Sequence, residues 1–483
     1  MKISFITIPN NISGGNVEKS MLISPPITHL WLAAVLLEAD HEVDILDALS
    51  LGMGIEEIEK HIEAEKPDLV GFTVFTAFYK EVLFVTERFK KRFPALKTVV
   101  GGYHVNSIPE DFYLPYIDYI FEGEAEYSLR ELMNRLRDSN DDYDGIPGLN
   151  AKNDLGEWQK TPVAPFRTDM DSQPILPYEL ILDNHYNTWW TSIDPSKEKY
   201  MATVSGKGCP VGCSFCDIGK TEGPKIRAMS AERLIREFEY LQSLGVTHVE
   251  LRDANFTTSR KHLIELAQAM IERNLKIEWG CSSTLGNLRF MLKKEARGTG
   301  GGINMLELLY QSGCRFIFLG VESGNPEILY REKKVTVEET FQVINAVKKA
   351  GIQAHSSFIF GLEGDTIESM QQTMDLSLAL KPDTASYSIA SPYPGTKLYD
   401  SYHEKGYLTT YDWSLYNAIE PVFETEYVKK DDLKRFLEDA HRRFYFRPSY
   451  IFSKALKVRS FQQFFDHAKF AYKMFFNVTA YKN

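Results

Sequence analysis

The chain has 483 residues, 43% hydrophobic and 25% charged, the balance of a soluble globular protein with more than one domain. A formal net charge of −11 argues against nucleic acid as a partner, because phosphate binding needs a basic footprint. No apolar run approaches the length that crosses a bilayer; the longest, Leu30 to Leu37, suits a buried helix.

The amino-terminal run Met1-Lys-Ile-Ser-Phe-Ile-Thr-Ile8 reads as a strand and lacks a signal peptide's long apolar region and cleavage site. From there to about residue 140, short β-rich runs alternate with helical patterns. Strands are expected at Lys2–Ile8, Glu42–Leu46, Leu69–Thr73, Thr98–Gly101 and Tyr119–Phe121, with helices at Leu30–Glu38, Ile55–Glu63 and Tyr79–Phe93. This alternation predicts an α/β fold with a doubly wound, Rossmann-like parallel sheet over 1–140. Ligands of such sheets bind at the carboxyl ends of the strands, here the loops 9–14, 74–78, 101–104 and 122–124.

Residues 141–195 read as a linker, rich in Asn, Asp, Gly and Pro as far as Pro177. Near its end Trp189-Trp190 is read either as interdomain packing or as a stacking surface for a ligand. A second series follows over 196–400, with strands at Met201–Ser205, His248–Arg252, Lys276–Cys281, Arg315–Leu319, Ala354–Phe360 and Thr384–Ala390. Helices lie between them, among them Ala231–Ser243, Arg260–Arg273, Met305–Ser312, Val337–Ala350 and Ile367–Leu380. Six such repeats predict a partial (β/α)6 barrel, whose active site belongs on the loops that follow the strands. Lys293-Lys-Glu-Ala-Arg-Gly-Thr-Gly-Gly-Gly302 reads as a mobile connector, or as cations that attract an anionic substrate group. Residues 401–483 are expected to be mostly helical. From Ser453 to Phe476 aromatics at helical spacing run beside Lys and Arg, a helix that packs on the barrel or makes peripheral contact with a membrane.

The loop after the first barrel strand carries the chemistry: Lys207-Gly-Cys209-Pro-Val-Gly-Cys213-Ser-Phe-Cys216-Asp-Ile-Gly. Three cysteines at CxxxCxxC spacing can converge on one metal centre. A 4Fe–4S cluster has four irons, normally each held by a thiolate, so three ligands leave one iron open for a small molecule. Zinc is the competing reading, but structural zinc sites use two ligand pairs and no second pair follows. Cys281 and Cys314 stand alone and read as buried free thiols; with so few cysteines a reducing, cytoplasmic setting is expected.

This spacing, with aromatic Phe215 before the last cysteine, resembles the radical S-adenosylmethionine superfamily. The chain as a whole resembles its cobalamin-binding branch, on Pro25-Pro26 leading into Leu32–Glu38, Val99-Val-Gly-Gly-Tyr-His104 and Glu122-Gly-Glu124. The resemblance covers roughly residues 1 to 450. It implies a cobalamin-binding sheet followed by the barrel, with Cys209, Cys213 and Cys216 holding the cluster. It also implies S-adenosylmethionine contacts at Phe215, Asp253, Glu322, Ser323, Ile359, Gly361 and Tyr393. For cobalamin it points to Thr73, Thr76, Gly101, Gly102, His104 and Glu124. Strand-end or capping roles for Asp253 and Glu322, and turn roles for the glycines, stand beside these. Glu363 replaces a proline common in the family. The Asp-x-His-x-x-Gly motif that gives other cobalamin enzymes a histidine ligand is absent from 1–140. That fits either cobalamin bound without the histidine or a sheet that no longer binds it.

The activity implied is a cobalamin-dependent radical methyltransferase acting on an unactivated carbon of a small-molecule, peptide or lipid substrate. An electron donor such as flavodoxin or ferredoxin would serve it. The same architecture without methyl transfer, for cyclisation, coupling or rearrangement, is the alternative. A transfer-RNA methylthiotransferase would carry a second cluster motif upstream, yet no cysteine precedes Cys209. A non-catalytic sensor needs fewer S-adenosylmethionine contacts than the resemblance implies.

Overall fold

The computed structural model describes residues 1–14, 23–186, 188–190, 193–194 and 197–455. The first sheet begins with β1 (Lys2–Ile6), β2 (Glu42–Leu46), β3 (Leu69–Thr73), β4 (Lys97–Gly101) and β5 (Tyr119–Phe121), parallel in the order β2-β1-β3-β4-β5. Side chains alternate across these strands. Phe5, Leu69 and Val99 face the helices Ile27–Leu37 and Glu126–Arg137, whereas Val70, Phe72, Val100 and Ile120 face Ile55–Glu65 and Tyr79–Arg92. A sheet buried on both faces reads as near-continuous hydrophobic runs, which is why all five strands are legible in the sequence.

Composition reads 141–195 as connecting chain. There the structure adds β6 (Leu149–Lys152) and β7 (Trp158–Lys160), which extend the first sheet antiparallel beyond β5. Tyr113 stacks on Trp158 at 5.0 Å and Lys152 lies 4.8 Å from the same ring, so this edge packs like the rest.

The second sheet comprises β8 (Tyr200–Thr203), β11 (His248–Leu251), β12 (Glu278–Thr284), β13 (Cys314–Glu322), β14 (Gln353–Phe360) and β15 (Thr384–Ile389). All are parallel and adjacent in sequence order, and among the described residues β8 and β15 do not pair, so the barrel stays open. A small antiparallel ribbon, β9 (Gly206–Lys207) with β10 (Arg227–Ala228), brackets the cysteine loop. Trp190 is buried, stacked on Phe316 at 5.9 Å and edge-on to His248, while Trp189 meets His355 at 5.0 Å. These partners lie near the strands' starts, so the tryptophan pair plugs the end of the barrel away from the cysteine loop.

The stretch 293–302 begins as the last turns of helix Leu285–Ala296. Lys293 and Arg289 both bind Glu339 on helix Val337–Lys349, at 2.6 and 2.9 Å, so Lys293 is engaged within the protein. Only then does the chain turn, through Gly298, Gly301 and Gly302 at positive φ. Helix Lys430–Tyr445 packs on β15, and Tyr445 donates its hydroxyl to the Ala385 carbonyl. Of the aromatic, basic segment 453–476, residues 453–455 end the helix Pro448–Ala455, and 456–476 lie outside the described residues.

Candidate functional site

The cysteine loop leaves β9 through Gly208, whose φ of +89° and close backbone neighbours exclude any side chain: a Cβ there would lie 2.2 Å from the Lys225 carbonyl oxygen. Cys209 and Cys213 are half-buried and Cys216 is exposed; all five cysteines of the chain are free thiols. Hydrogen bonds to the rest of the barrel anchor the loop. The Cys209 amide donates to Gly223 at 3.0 Å, the Ser214 amide and hydroxyl donate to Glu332 at 2.8 and 2.9 Å, and Leu398 donates to the Ser214 carbonyl at 2.9 Å. Among the described residues no three Cys, His, Asp or Glu side chains gather closely enough for a single ion. A cubane asks for something wider, since its thiolates sit on separate irons. Three soft thiol donors in one anchored loop, one of them open to solvent, fit such a cluster.

Lys333, which the sequence does not single out, stands at the centre of this site. Its Nζ lies 3.6 Å from Cys213 Sγ, 2.9 Å from Glu322 and 5.4 Å above the Phe215 ring. Burial works against its charge, but Glu322 and Cys213 carry the ammonium above its ordinary value. Burial likewise pushes the Cys213 thiol up while Lys333 draws it down. Glu322 ends β13 at a bulge with φ +69°, a conformation rare for a residue with a side chain, and also accepts from Ser357 at 3.0 Å. The strain turns its carboxylate toward Lys333 and the loop.

The other barrel positions divide. Asp253, at the end of β11, is buried and accepts from the Ser205 amide and hydroxyl at 2.7 and 2.6 Å. Burial pushes its pKa up to about 7 against those bonds. Ser323 is fully buried beside Thr373 at 3.3 Å. Gly361 has φ +83°, and a Cβ there would strike Phe423 at 2.7 Å, so a turn alone accounts for that glycine. Ile359 and Tyr393 are half-buried on the same strand-end side. Glu363 binds Ser401 and Lys405, which stiffens the turn that lacks the family's proline.

Across from the cysteine loop, the carboxyl ends of β3, β4 and β5 form a cleft. Thr73, Gly101, Gly102 and Glu124 line it, together with Lys207 and Glu222 from the loop itself. On the neighbouring loop Phe75 is 48% exposed and stacks on Tyr103 at 5.3 Å. A glycine-lined cleft beside an exposed aromatic plane fits a large flat macrocycle. His104 does not line this cleft. It is fully buried, bonded to Thr76 at 3.3 Å and Asp111 at 3.2 Å, and packed on Tyr79, Phe112 and Trp413. Thr76 is buried with it. The two residues therefore join the loops after β3 and β4 to the carboxyl-terminal extension, where Trp413 donates to Asp111 at 2.9 Å.

Charges clamp the cleft to the barrel. Glu124 takes two bonds from Arg227, at 2.9 and 2.8 Å, and Lys207 binds Glu126 and Glu124 while lying 4.5 Å from the Trp31 ring. Burial raises Glu124, but Arg227 and Lys207 outweigh it and hold the carboxyl below its usual range. Glu222 joins Tyr103 at 2.7 Å to the Gly208 amide at 3.1 Å. Lys207 and Glu222 sit within or beside the cysteine loop in sequence, a signal that was available; Lys333 lies 120 residues away, and only folding reveals it.

Among the described residues no helix is long and apolar enough to cross a membrane. Known proteins share both halves. The Radical SAM superfamily matches residues 203–377 and the B12 binding domain matches residues 15–133. An uncharacterized methyltransferase of Pyrococcus horikoshii is 28% identical over 441 residues, covering 90% of this chain and 91% of the relative. The anaerobic magnesium-protoporphyrin IX monomethyl ester cyclase of Rubrivivax gelatinosus is 26% identical over 459 residues, covering 93% of this chain and 78% of that one. Among solved structures, the cobalamin-dependent S-adenosylmethionine radical enzyme OxsB, with aqua-cobalamin and S-adenosylmethionine bound, aligns with a TM-score of 0.73. That match has 15% identity and spans 99% of this chain and 72% of OxsB, so it speaks for the fold. With the cysteine loop and the glycine-lined cleft facing each other, the chain joins a B12 binding domain to a domain of the Radical SAM superfamily.

Proposed function

We propose that this protein is a cobalamin-dependent radical S-adenosylmethionine methyltransferase that acts on an unactivated carbon of a small-molecule, peptide or lipid substrate. The observation that carries the reading is the clamp of Glu124, Glu126, Lys207 and Arg227, which holds the cleft of the first sheet against the cysteine loop. A methyl donor and a hydrogen-abstracting centre must face one substrate, and the clamp makes that arrangement rigid. When bound, the cluster supplies the electron that opens S-adenosylmethionine to a carbon radical, and cobalamin supplies the methyl group that such a carbon, being no nucleophile, cannot take from a sulfonium directly.

The chain's own residues bind and orient. Cys209, Cys213 and Cys216 hold the cluster, and the ammonium of Lys333 stands beside Cys213 to balance its negative charge. Phe215, Asp253, Glu322, Ser323, Ile359, Gly361 and Tyr393 form the strand-end surface for S-adenosylmethionine. Thr73, Gly101, Gly102 and Glu124 line the cleft for cobalamin, while His104 and Thr76 brace the loops beneath it. We take 1–140 as the cobalamin-binding domain, extended by β6 and β7 from the connection 141–195, with 196–400 as the barrel and 401–483 as the extension. Exposed Cys216 is the side from which a flavodoxin or ferredoxin would deliver electrons, and five free thiols suit a reducing cytoplasm.

The resemblance to a cyclase supports a second reading, a radical ring closure or other rearrangement without methyl transfer. The reconstituted enzyme distinguishes them through its by-products. Methyl transfer yields S-adenosylhomocysteine in step with 5′-deoxyadenosine and product; 5′-deoxyadenosine without S-adenosylhomocysteine would establish the second reading.

A further inference from the structure

We propose that the carboxyl-terminal end of the molecule docks on an anionic lipid surface. Three arginines, Arg442, Arg443 and Arg447, line one open hollow with Leu378 and Phe446. Arg442 is paired with Asp439, but among the described residues neither Arg443 nor Arg447 has a carboxylate partner. Arg447 Nη1 is buried without a hydrogen-bond partner. Burial of that guanidinium also lowers its pKa, as expected of a cation without a counterion. Such a group is stabilised by an incoming anion, and a guanidinium suits phosphate oxygens in particular.

The adjoining helix Pro448–Ala455 presents Ile451 and Phe452 to solvent, 52% and 68% exposed. Single exposed apolar side chains are ordinary on a protein surface. Placed beside unmatched arginines, they make the composition of an interfacial segment, with cations for headgroups and apolar side chains for the acyl boundary. A free phosphate would satisfy the arginines and leave Ile451 and Phe452 in water, whereas a lipid surface takes both. The sequence continues in the same sense: from Arg442 onward nine Lys and Arg stand against one acid, Asp466, in a protein of net charge −11. This asymmetry points one end of an acidic molecule at a negative surface.

The test is flotation of the full-length reconstituted protein with vesicles of phosphatidylcholine alone or mixed with phosphatidylglycerol, at low ionic strength. Binding is expected only to the anionic vesicles and should fall steeply with added salt. Charge reversal by Arg443→Glu with Arg447→Glu should weaken binding at least about tenfold. Because Arg447 also lies 4.1 Å over the Phe444 ring, Phe452→Asp, at an exposed position, provides a second variant. It should weaken binding while leaving the far-ultraviolet circular dichroism and the cluster spectrum unchanged. No binding to anionic vesicles, equal binding to neutral ones, or full binding by a folded Phe452→Asp protein would overturn the proposal.

Discussion

At the scale of single residues, the site depends on a few buried charges more than on the count of its ligands. Lys333 is joined to Glu322 and to Cys213 in a place where neither charge is well hydrated. Such a pair contributes little net stability, but it fixes the direction of each group. The thiols are a different matter, because in the proposed cluster each would hold one iron, with no neighbour to replace it. Cys213→Ala should abolish both the iron–sulfur absorbance and 5′-deoxyadenosine formation after anaerobic reconstitution. Cys281→Ala and Cys314→Ala, at fully buried positions within strands, should keep the cluster. Retained cleavage activity in the Cys213→Ala protein would remove it from the ligand set.

Among elements, the contact between helices Leu285–Ala296 and Val337–Lys349 shows how charge steers a connection that composition reads as loose. Partial burial disfavours the Glu339 carboxylate, yet Lys293, the Thr336 amide and Arg289 hold it down at about 2. A carboxyl depressed in the folded state contributes stability that is complete above its unfolded pKa, about 4.3, and is lost as the pH falls through the folded value. Glu339→Gln should therefore be less stable than the parent protein near neutral pH. The difference in urea midpoint should narrow as the pH is lowered from about 4 toward about 2. A difference that stays constant across that window would mean that Glu339 acts through shape alone. In the same way Gly208 and Glu322 set the exits of β9 and β13, where backbone conformations that side chains resist aim the cysteine loop and the strand-end carboxylate.

For the whole molecule, two sheets must keep a fixed distance and angle if two cofactors are to serve one substrate. The clamp that does this is ionic and largely buried, with Arg227 7% and Glu124 12% exposed. Removing Glu124 leaves Arg227 without its carboxylate partner, which costs about 3–5 kcal/mol in buried settings, whereas removing Arg227 leaves Glu124 to Lys207 alone. Arg227→Ala and Glu124→Ala should each lower the unfolding midpoint and the fraction of cobalamin kept through desalting. In the double variant the losses should fall short of additive by about 1–3 kcal/mol. Strict additivity would show that the two residues act separately and that something else joins the sheets.

The sequence by itself determined the two α/β series, the open six-stranded barrel and the three-cysteine loop. Those features follow from local patterns: buried strands read as continuous apolar runs, helices repeat near every 3.6 residues, and metal ligands in one loop share one stretch of chain. It did not reveal β6 and β7, short strands in a Gly- and Asn-rich stretch: β6 pairs with β5 across the intervening helix Glu126–Arg137, and β7 pairs with β6. Nor did it reveal the roles of His104 and Lys333. A histidine at the end of a strand looks the same in sequence whether it faces a cofactor or, as here, is closed in by Asp111, Thr76 and Trp413. Lys333 is one of two lysines at the end of a helix; the fold of that helix back on β13 gives it the Glu322 carboxylate, and only its approach to the cysteine loop gives it the Cys213 thiol. Electrostatic partners are chosen by distance in space, and the free energy of a buried charge depends on neighbours that the chain brings together only when it folds.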